Sequence, residues 1–520
     1  MNNAIFPDKT ERWCWLLTLA AIVVGILRII YIACVLILTG YAISTVYILY
    51  TYVRHWGKRR PLPILKDNEW PKVTVQLPLF NERYVARRII DAVAQLDYPR
   101  DRLHIQVLDD SIDDTTDLLA PRIAQLRAEG LRIDLIHRTN RQGYKAGALA
   151  EALPLTDGEF FAIFDADFIP APDFLRKTVP YFKLGDDIGV VQARWGHLNA
   201  NDNVLTRAQA LAIDGHFGVE QFARCNSGLI FSFNGTCGLW RRACIESAGG
   251  WSADTLTEDF DLSFRAHMKG WHFYYVRDVM CPGELPAQMT SYKQQQTRWA
   301  KGSTQVMVKL TLPLLFSKLG WRKKVMGVLQ LFQYGIQLVI LASLLLAPVM
   351  LLTNSLQGLP LAPLSILSLA APLLFVLGQQ ALKQDWRERT IYFPMLMVLS
   401  SGMVVNNSRA AIEAFSGKKS EFIRTPKFRG ANAQSTRTWQ HSKYTMMVGK
   451  GVILEIVLAI YALGAAALTY QVAPSFVLYF CMYAFGLLMV AGWSLTESWI
   501  ASRPTPPPSA SVEPIGSAGK

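Results

Sequence analysis

Residues 160–168 read FFAIFDADF: five apolar residues, then Asp165 and Asp167 on either side of an alanine, then another aromatic. An unbroken apolar run of that length fits a strand covered on both faces. Two readings of the acids stand open on this stretch alone, a solvated turn that ends the strand or a pair of carboxylates that hold a ligand. The flanking sequence supplies the fold. VTVQLP (73–78), LHIQVL (103–108) and LRIDLI (131–136) read as strands. Between them Val85, Ile89, Val93 and Leu96 share one helical face, a second helix carries Leu118, Leu119, Ile123 and Leu126 and stops at Gly130, and KAGALAEAL (145–153) makes a further helix. Strands alternating with helices predict an α/β domain with a parallel sheet and crossover connections. Ligands of such sheets sit beyond the carboxyl ends of the strands.

That rim collects the chemistry. Asp109 and Asp110 follow the second strand, HRTNRQGYKAG (137–147) follows the third, and the aspartate pair follows the fourth. Carboxylates beside Arg138, Arg141 and Lys145 suit a phosphorylated ligand carried with a divalent cation. Each piece has a plainer reading by itself. TED (257–259) reads as a helix start with Thr257 as N-cap and acids favourable to the dipole. QQQTRW (294–299) also fits the polar face of an interfacial helix, and Trp299 an interfacial aromatic belt.

The ends of the chain differ from its middle. The 520 residues are 51% hydrophobic with a net charge of +13, and the apolar excess lies before residue 60 and after residue 300. Basic clusters flank the apolar segments, so the charge is read as the cytoplasmic excess of a membrane protein and not as a nucleic-acid surface. Trp13–Val53 is apolar except for Arg28, long enough for one span with a second span or an interfacial helix before it. The basic exit RHWGKRR (54–60) predicts that the following domain is cytoplasmic. Further spans are predicted near 326–352, 361–381, 451–470 and 475–496. Residues 391–415, with NNSR at 406–409, and 293–319 read as amphipathic surface helices. The tail after Arg503 is rich in proline and serine and reads as disordered. The seven cysteines form no Cys-x-x-Cys pair and suggest no disulfide framework, and no cleavable signal peptide stands out. The expected organisation is a membrane segment (1–60), a catalytic domain (70–305), spanning and interfacial helices (306–500) and a disordered cytoplasmic tail (501–520).

QVLDDS (106–111), NRQGYKAGAL (140–149), FDADF (164–168), VQARW (191–195), FNGTCGLW (233–240), TEDFDL (257–262) and QQTRW (295–299), in this order, resemble the family 2 glycosyltransferases. The resemblance is nearest to the processive β-glycan synthases of the cellulose-synthase-like A and C groups, which make mannan, glucomannan or xyloglucan-type backbones. It implies a GT-A type nucleotide-sugar domain inserted between transmembrane helices, in the inner (plasma) membrane with the domain cytoplasmic. The implied reaction is inverting hexosyl transfer from GDP-mannose, UDP-glucose or GDP-glucose to the end of a growing β-linked polysaccharide, with coupled export. A non-processive transfer of one sugar to a membrane lipid is the alternative, and a membrane assembly subunit with a degenerate domain is a third reading, disfavoured by intact acids at every motif.

The resemblance also assigns roles. Asp109 and Asp110 would contact the nucleoside, with Lys145 and Arg141 near the diphosphate. Asp165 and Asp167 would hold Mg2+ or Mn2+. Asp259 would be the general base beside Glu258. Phe233, Asn234, Gly235 and Thr236 would line the acceptor end, and Gln295, Arg298 and Trp299 would border the diphosphate and the acceptor sugar. Accessory export subunits are compatible partners. Two departures stand out. Cys237 replaces a residue that is often alanine, and EFIRTPK (421–427) differs from the gating-loop pattern of cellulose synthases, which argues against cellulose as product.

Overall fold

Helix α1 (Lys9–His55) leads the chain into its sheet. The computed structural model describes residues 9–58, 61–359, 364, 366–383, 385–418, 449 and 451–502. The strands are β1 (Val73–Leu79), β2 (Leu103–Asp109), β3 (Ile133–His137), β4 (Phe160–Ile163), β5 (Ile188–His197), β6 (Gly238–Arg241) and β7 (His272–Gly283). They form one seven-stranded sheet in the order β3-β2-β1-β4-β6-β5-β7. The first four pair in parallel, as the alternating pattern predicts. β6 does not: it runs antiparallel to both β4 and β5, while β5 and β7 pair in parallel. The sheet is therefore mixed where a parallel one was expected. The cause is local. β6 starts at the ligand rim, directly after the FNGT turn, so it can only run away from that rim and against its neighbours.

Alternation along the strands separates two faces. Val73, Val75 and Leu77 of β1 join Ile89, Ile90 and Val93 of α2 (Ala86–Ala94) and Leu119, Ile123 and Leu126 of α3 (Thr115–Ala128) in one core. Leu118 of α3 lies outside this core and is 42% exposed. Phe161 and Ile163 of β4 point to the opposite layer, with Leu149 of α4 (Tyr144–Ala152) and Trp240 of β6. Helix α5 (Val204–Gly215) follows β5, and α6 (Glu258–Met268) precedes β7.

Past β7, a single helix of 28 residues, α7 (Met289–Phe316), carries the QQQTRW motif. It crosses the expected domain boundary at 305, so sheet domain and membrane segment share an element. Trp321–Leu331 and α8 (Ile336–Leu352) meet at a bend of 64°, where one straight span was expected. Next come α9 (Ala370–Leu382), α10 (Phe393–Gly402), α11 (Val404–Phe415), α12 (Gly451–Thr469) and α13 (Val477–Ala501).

Among the described residues, three helices are long and apolar enough to cross a membrane, at Trp15–His55, Gly451–Thr469 and Pro474–Ala501, or four if the bent pair counts as one. The whole N-terminal stretch is one helix of 47 residues, not two elements. At 1.5 Å per residue it extends about 70 Å, against a hydrocarbon core of about 30 Å. Of the span expected at 361–381, α9 accounts for 13 residues and about 20 Å, against a hydrocarbon core of about 30 Å, while 361–363 and 365 lie outside the described residues. Helix α9 packs on the sheet domain, backbone against backbone where Gly378 meets Gly215 of α5. The surface helix expected over 391–415 is the pair α10 and α11, broken at Met403. The segment 421–427 and the tail after Arg503 lie outside the described residues.

Candidate active site

The strand ends open onto a cavity of about 180 Å3. Its wall contains Asp110, Arg141, Lys145, Asp165, Asp167, Asn234, Gly235, Glu258, Asp259, Gln295, Arg298 and Trp299. The motifs scattered over 190 residues of sequence thus meet in one place. Asp109, Phe233 and Thr236 do not reach it.

Asp109 is spent internally. One oxygen accepts from the Ser111 amide (3.0 Å), and the other from the Thr116 hydroxyl (2.5 Å) with His137 Nδ1 3.2 Å away. It shapes the turn after β2, and it has no surface left for a nucleoside. Asp110 is gripped by Arg138, whose Nε and Nη2 donate to its two oxygens at 2.8 and 2.6 Å. Arg138 also donates to the carbonyl of Tyr144 (2.9 Å) and to Glu151 (2.8 Å). One planar cation therefore fixes an aspartate at the rim and the loop that delivers Lys145. Arg141 lies with its guanidinium carbon 3.3 Å from the Phe80 ring centroid, a cation–π contact on the cavity wall.

Lys145 is the hub. Its Nζ donates to Asp165 Oδ1 (2.6 Å) and to the Gly235 carbonyl (2.9 Å), and lies 3.7 Å from Glu258 Oε1. Burial alone would push the ammonium's pKa down, but Asp165 and Glu258 outweigh it and hold it above the ordinary lysine value. Asp259 is pushed the other way from an ordinary aspartate, up to about 7, by burial first and the Glu258 charge second, with Lys145 opposing. Gly235, at φ +79°, separates the two groups: a Cβ there would stand 3.1 Å from Asp259 Oδ2 and 3.7 Å from Lys145 Nζ. The position needs glycine for its backbone and for its neighbours.

Phe233 and Thr236 act from behind. Phe233 packs edge-on against Trp240, and its amide donates to Ser263 Oγ. Thr236 Oγ1 accepts the Asp165 amide (2.9 Å) and so places that carboxylate. Gln192, the glutamine of VQARW, accepts the Asn234 amide and donates to the carbonyls of Thr236 and Cys237. Thr257 stands at the N-cap position of α6, yet its hydroxyl bonds no helix amide, contrary to expectation. Gly302 of α7 packs against it, so near that a Cβ there would come within 2.9 Å of the Thr257 amide nitrogen. That approach brings Arg298 and Trp299, one turn earlier on α7, to the turn that bears Asp259.

Two carboxylates one residue apart, both on the wall, suit a divalent cation that completes its shell on substrate phosphates. Among the described residues, no cluster of three or more His, Cys, Asp or Glu stands ready to hold an ion alone. The donor set therefore fits an ion that arrives with its substrate. Sequence reasoning missed Phe80, Trp195, His197 and Glu284, which also line the cavity. Only Trp195, inside a quoted motif, carried a signal. His197 Nε2 pairs with Asp214 at 3.0 Å, and Asp214 accepts from Gln379 of α9 at 3.2 Å.

A mixed sheet with a cavity of paired cations and carboxylates at its strand ends defines an α/β domain of the nucleotide-sugar type. Residues 71–302 match the model of the glycosyltransferase like family 2. Three similar proteins come from rice, Oryza sativa subsp. japonica. The probable glucomannan 4-beta-mannosyltransferase 9 is 37% identical over 340 residues, covering 61% of this chain and 64% of the relative. Glucomannan 4-beta-mannosyltransferase 1 is 42% identical over 49% of this chain and 50% of its own. The probable glucomannan 4-beta-mannosyltransferase 11 is 45% identical over 48% and 44%. The chain thus spans between 44% and 64% of the length of these relatives. Among solved structures, a mannosyltransferase from Pyrobaculum calidifontis in complex with GDP-Man and Mn2+ aligns with 76% of this chain and 100% of its own, at 23% identity and a TM-score of 0.49.

Proposed function

We propose that this protein is a membrane-bound inverting hexosyltransferase that moves a sugar from a nucleoside diphosphate donor to the end of a growing β-linked polysaccharide. The observation that carries the reading is the meeting of Lys145, Asp165, Glu258 and Asp259 around Gly235, with Gln295, Arg298 and Trp299 closing the same cavity. The similarity to glucomannan 4-beta-mannosyltransferases favours GDP-mannose over UDP-glucose and GDP-glucose as donor.

In this mechanism Asp259 accepts the proton of the acceptor hydroxyl as that oxygen bonds to the donor's anomeric carbon. The bond from that carbon to the diphosphate oxygen breaks on the opposite face, and an α-linked donor yields a β-linked product in one displacement. A carboxylate raised to about 7 is a competent base near neutral pH. Lys145 and Arg298 neutralise charge developing on the departing diphosphate. Asp165 and Asp167 would hold a divalent ion, Mg2+ or Mn2+, which when bound adds Lewis-acid stabilisation to the same leaving group. Trp299 offers an aromatic plane to the acceptor sugar.

The reading extends to the surroundings. Apolar helices before and after the domain support residence in a bilayer. The basic exit of α1, with Arg54 and Lys58, supports a cytoplasmic domain at the inner (plasma) membrane. Export of the polymer through the chain's own helices, with or without accessory subunits, belongs to the same proposal. The test is incubation of purified membranes with GDP-mannose, UDP-glucose and GDP-glucose, followed by product sizing and linkage analysis. A β-linked polymer is expected. A single glycolipid would shift the acceptor to a membrane lipid, and no transfer from any of the three donors would end the reading.

A further inference from the structure

Helix α7 has two opposed faces. Gln295, Arg298, Trp299 and Gly302 recur at helical spacing on the face towards the cavity. Lys293, Thr297 and Lys301 recur on the other, and each has a partner on a different part of the membrane-side helices. Lys293 Nζ pairs with Glu455 of α12 at 2.6 Å. Thr297 Oγ1 donates to Asn406 of α11 at 3.2 Å, and Lys301 Nζ lies 3.4 Å from Glu413 of α11.

The start of α7 is held in the same way. Its N-cap residue, Gln288, makes no side-chain cap bond to the helix. The cap comes instead from Glu497, near the end of α13. One carboxylate oxygen accepts the Met289 amide (2.7 Å), and the other accepts the Thr290 amide and hydroxyl (both 3.0 Å). Glu497 is buried, with 6% of its surface exposed, and so is Met289. An anion accepting amides at a helix N-terminus makes short, strong bonds and complements the dipole. It comes from over 200 residues away, so it fixes where α7 starts relative to α13.

We infer that Glu497 is a positioning residue for the transfer reaction: by capping α7 from α13, it sets where Gln295, Arg298 and Trp299 stand in the cavity. This rests on the proposed transferase activity. It leaves donor binding largely elsewhere, since Asp110 and Asp165 follow β2 and β4 and Lys145 stands on α4.

The full chain in lipid nanodiscs, as wild type, Glu497→Ala and Glu497→Gln, tests this by steady-state transfer and by hydrogen exchange over residues 289–302. Misplacing α7 by an ångström is expected to lower kcat about tenfold or more in Glu497→Ala. The donor KM should change less than about twofold, because most donor contacts lie off α7. Exchange should rise across 289–302, and Glu497→Gln, which keeps the shape and one acceptor oxygen, should fall between wild type and alanine. It also serves if the alanine variant does not fold. Unchanged exchange, unchanged kcat, or a raised KM at constant kcat overturns the inference. A wild-type protein that transfers no hexose ends the activity proposal instead, and the exchange measurement then decides by itself whether Glu497 fixes α7.

Discussion

The cavity rim and the helices around α7 use the same residue types to opposite ends. Around α7, acids and bases are matched locally: Lys293 with Glu455, Lys301 with Glu413, and the Glu497 carboxylate with two amides and a hydroxyl. At the rim, three carboxylates crowd one ammonium, and the mismatch shows in Asp259, raised from its ordinary value while Lys145 is raised above its own. Matched charge holds position. Unmatched charge keeps a proton mobile and leaves room for an ion. Variants at the rim should therefore cost rate with little stability, and variants around α7 should cost stability first.

The largest loss is expected at the base. Asp259→Asn keeps the shape and removes the proton acceptor, and transfer should fall about a thousandfold, within the range for general base catalysis. Thermal stability should hold or rise, because a buried carboxylate is replaced by a neutral amide. Unchanged turnover would remove Asp259 from the mechanism. Chelation should bring transfer to background, with recovery on adding Mn2+ or Mg2+; full activity in EDTA would exclude an ion at Asp165 and Asp167. Gly235→Ala adds a methyl group against Asp259 and forces an L residue to φ +79°, so a loss of about a hundredfold in kcat is expected from misplacement.

The helix side responds differently. Lys293→Met leaves Glu455, whose side chain is 1% exposed, buried without its cation, and should cost about 3–5 kcal/mol of stability, read as a lower thermal midpoint. Lys293→Met with Glu455→Leu should recover most of that loss. A double variant no better than the single one would mean the pair is not the stabilising unit. The finest test concerns pH. Asp259 must be deprotonated to act, so the rate should climb with pH through about 7 and then level off. The Glu258 charge helps raise that carboxyl, so Glu258→Gln should move the climb to lower pH. A climb that stays in place would detach it from this pair.

Features built from residues adjacent along the chain were legible in the sequence. FFAIFDADF contains both the strand and the acids at its end, and the same holds for QVLDDS and the loop bearing Lys145. Position relative to a distant element was not legible. Asp109 looks like Asp110 until Ser111, Thr116 and His137 close around it. Thr257 has the sequence of a cap, but Gly302, 45 positions later, takes the space beside it. The direction of β6 follows from where the FNGT turn places its start against β5, and α9, 13 residues long, looks in composition like a longer span. Glu497 carried no signal, since nothing near it in sequence mentions α7.

The closeness of Gly302 to Thr257 bears on how such a chain can be taken apart. A cut at residue 305, where composition changes, would divide the helix that forms one wall of the cavity from the elements that anchor it. A chimera that borrowed only the sheet domain of a relative would inherit the carboxylates at the strand ends and a foreign wall opposite them. The smallest unit that transplants intact runs from the sheet through α7 and includes the helices that grip it.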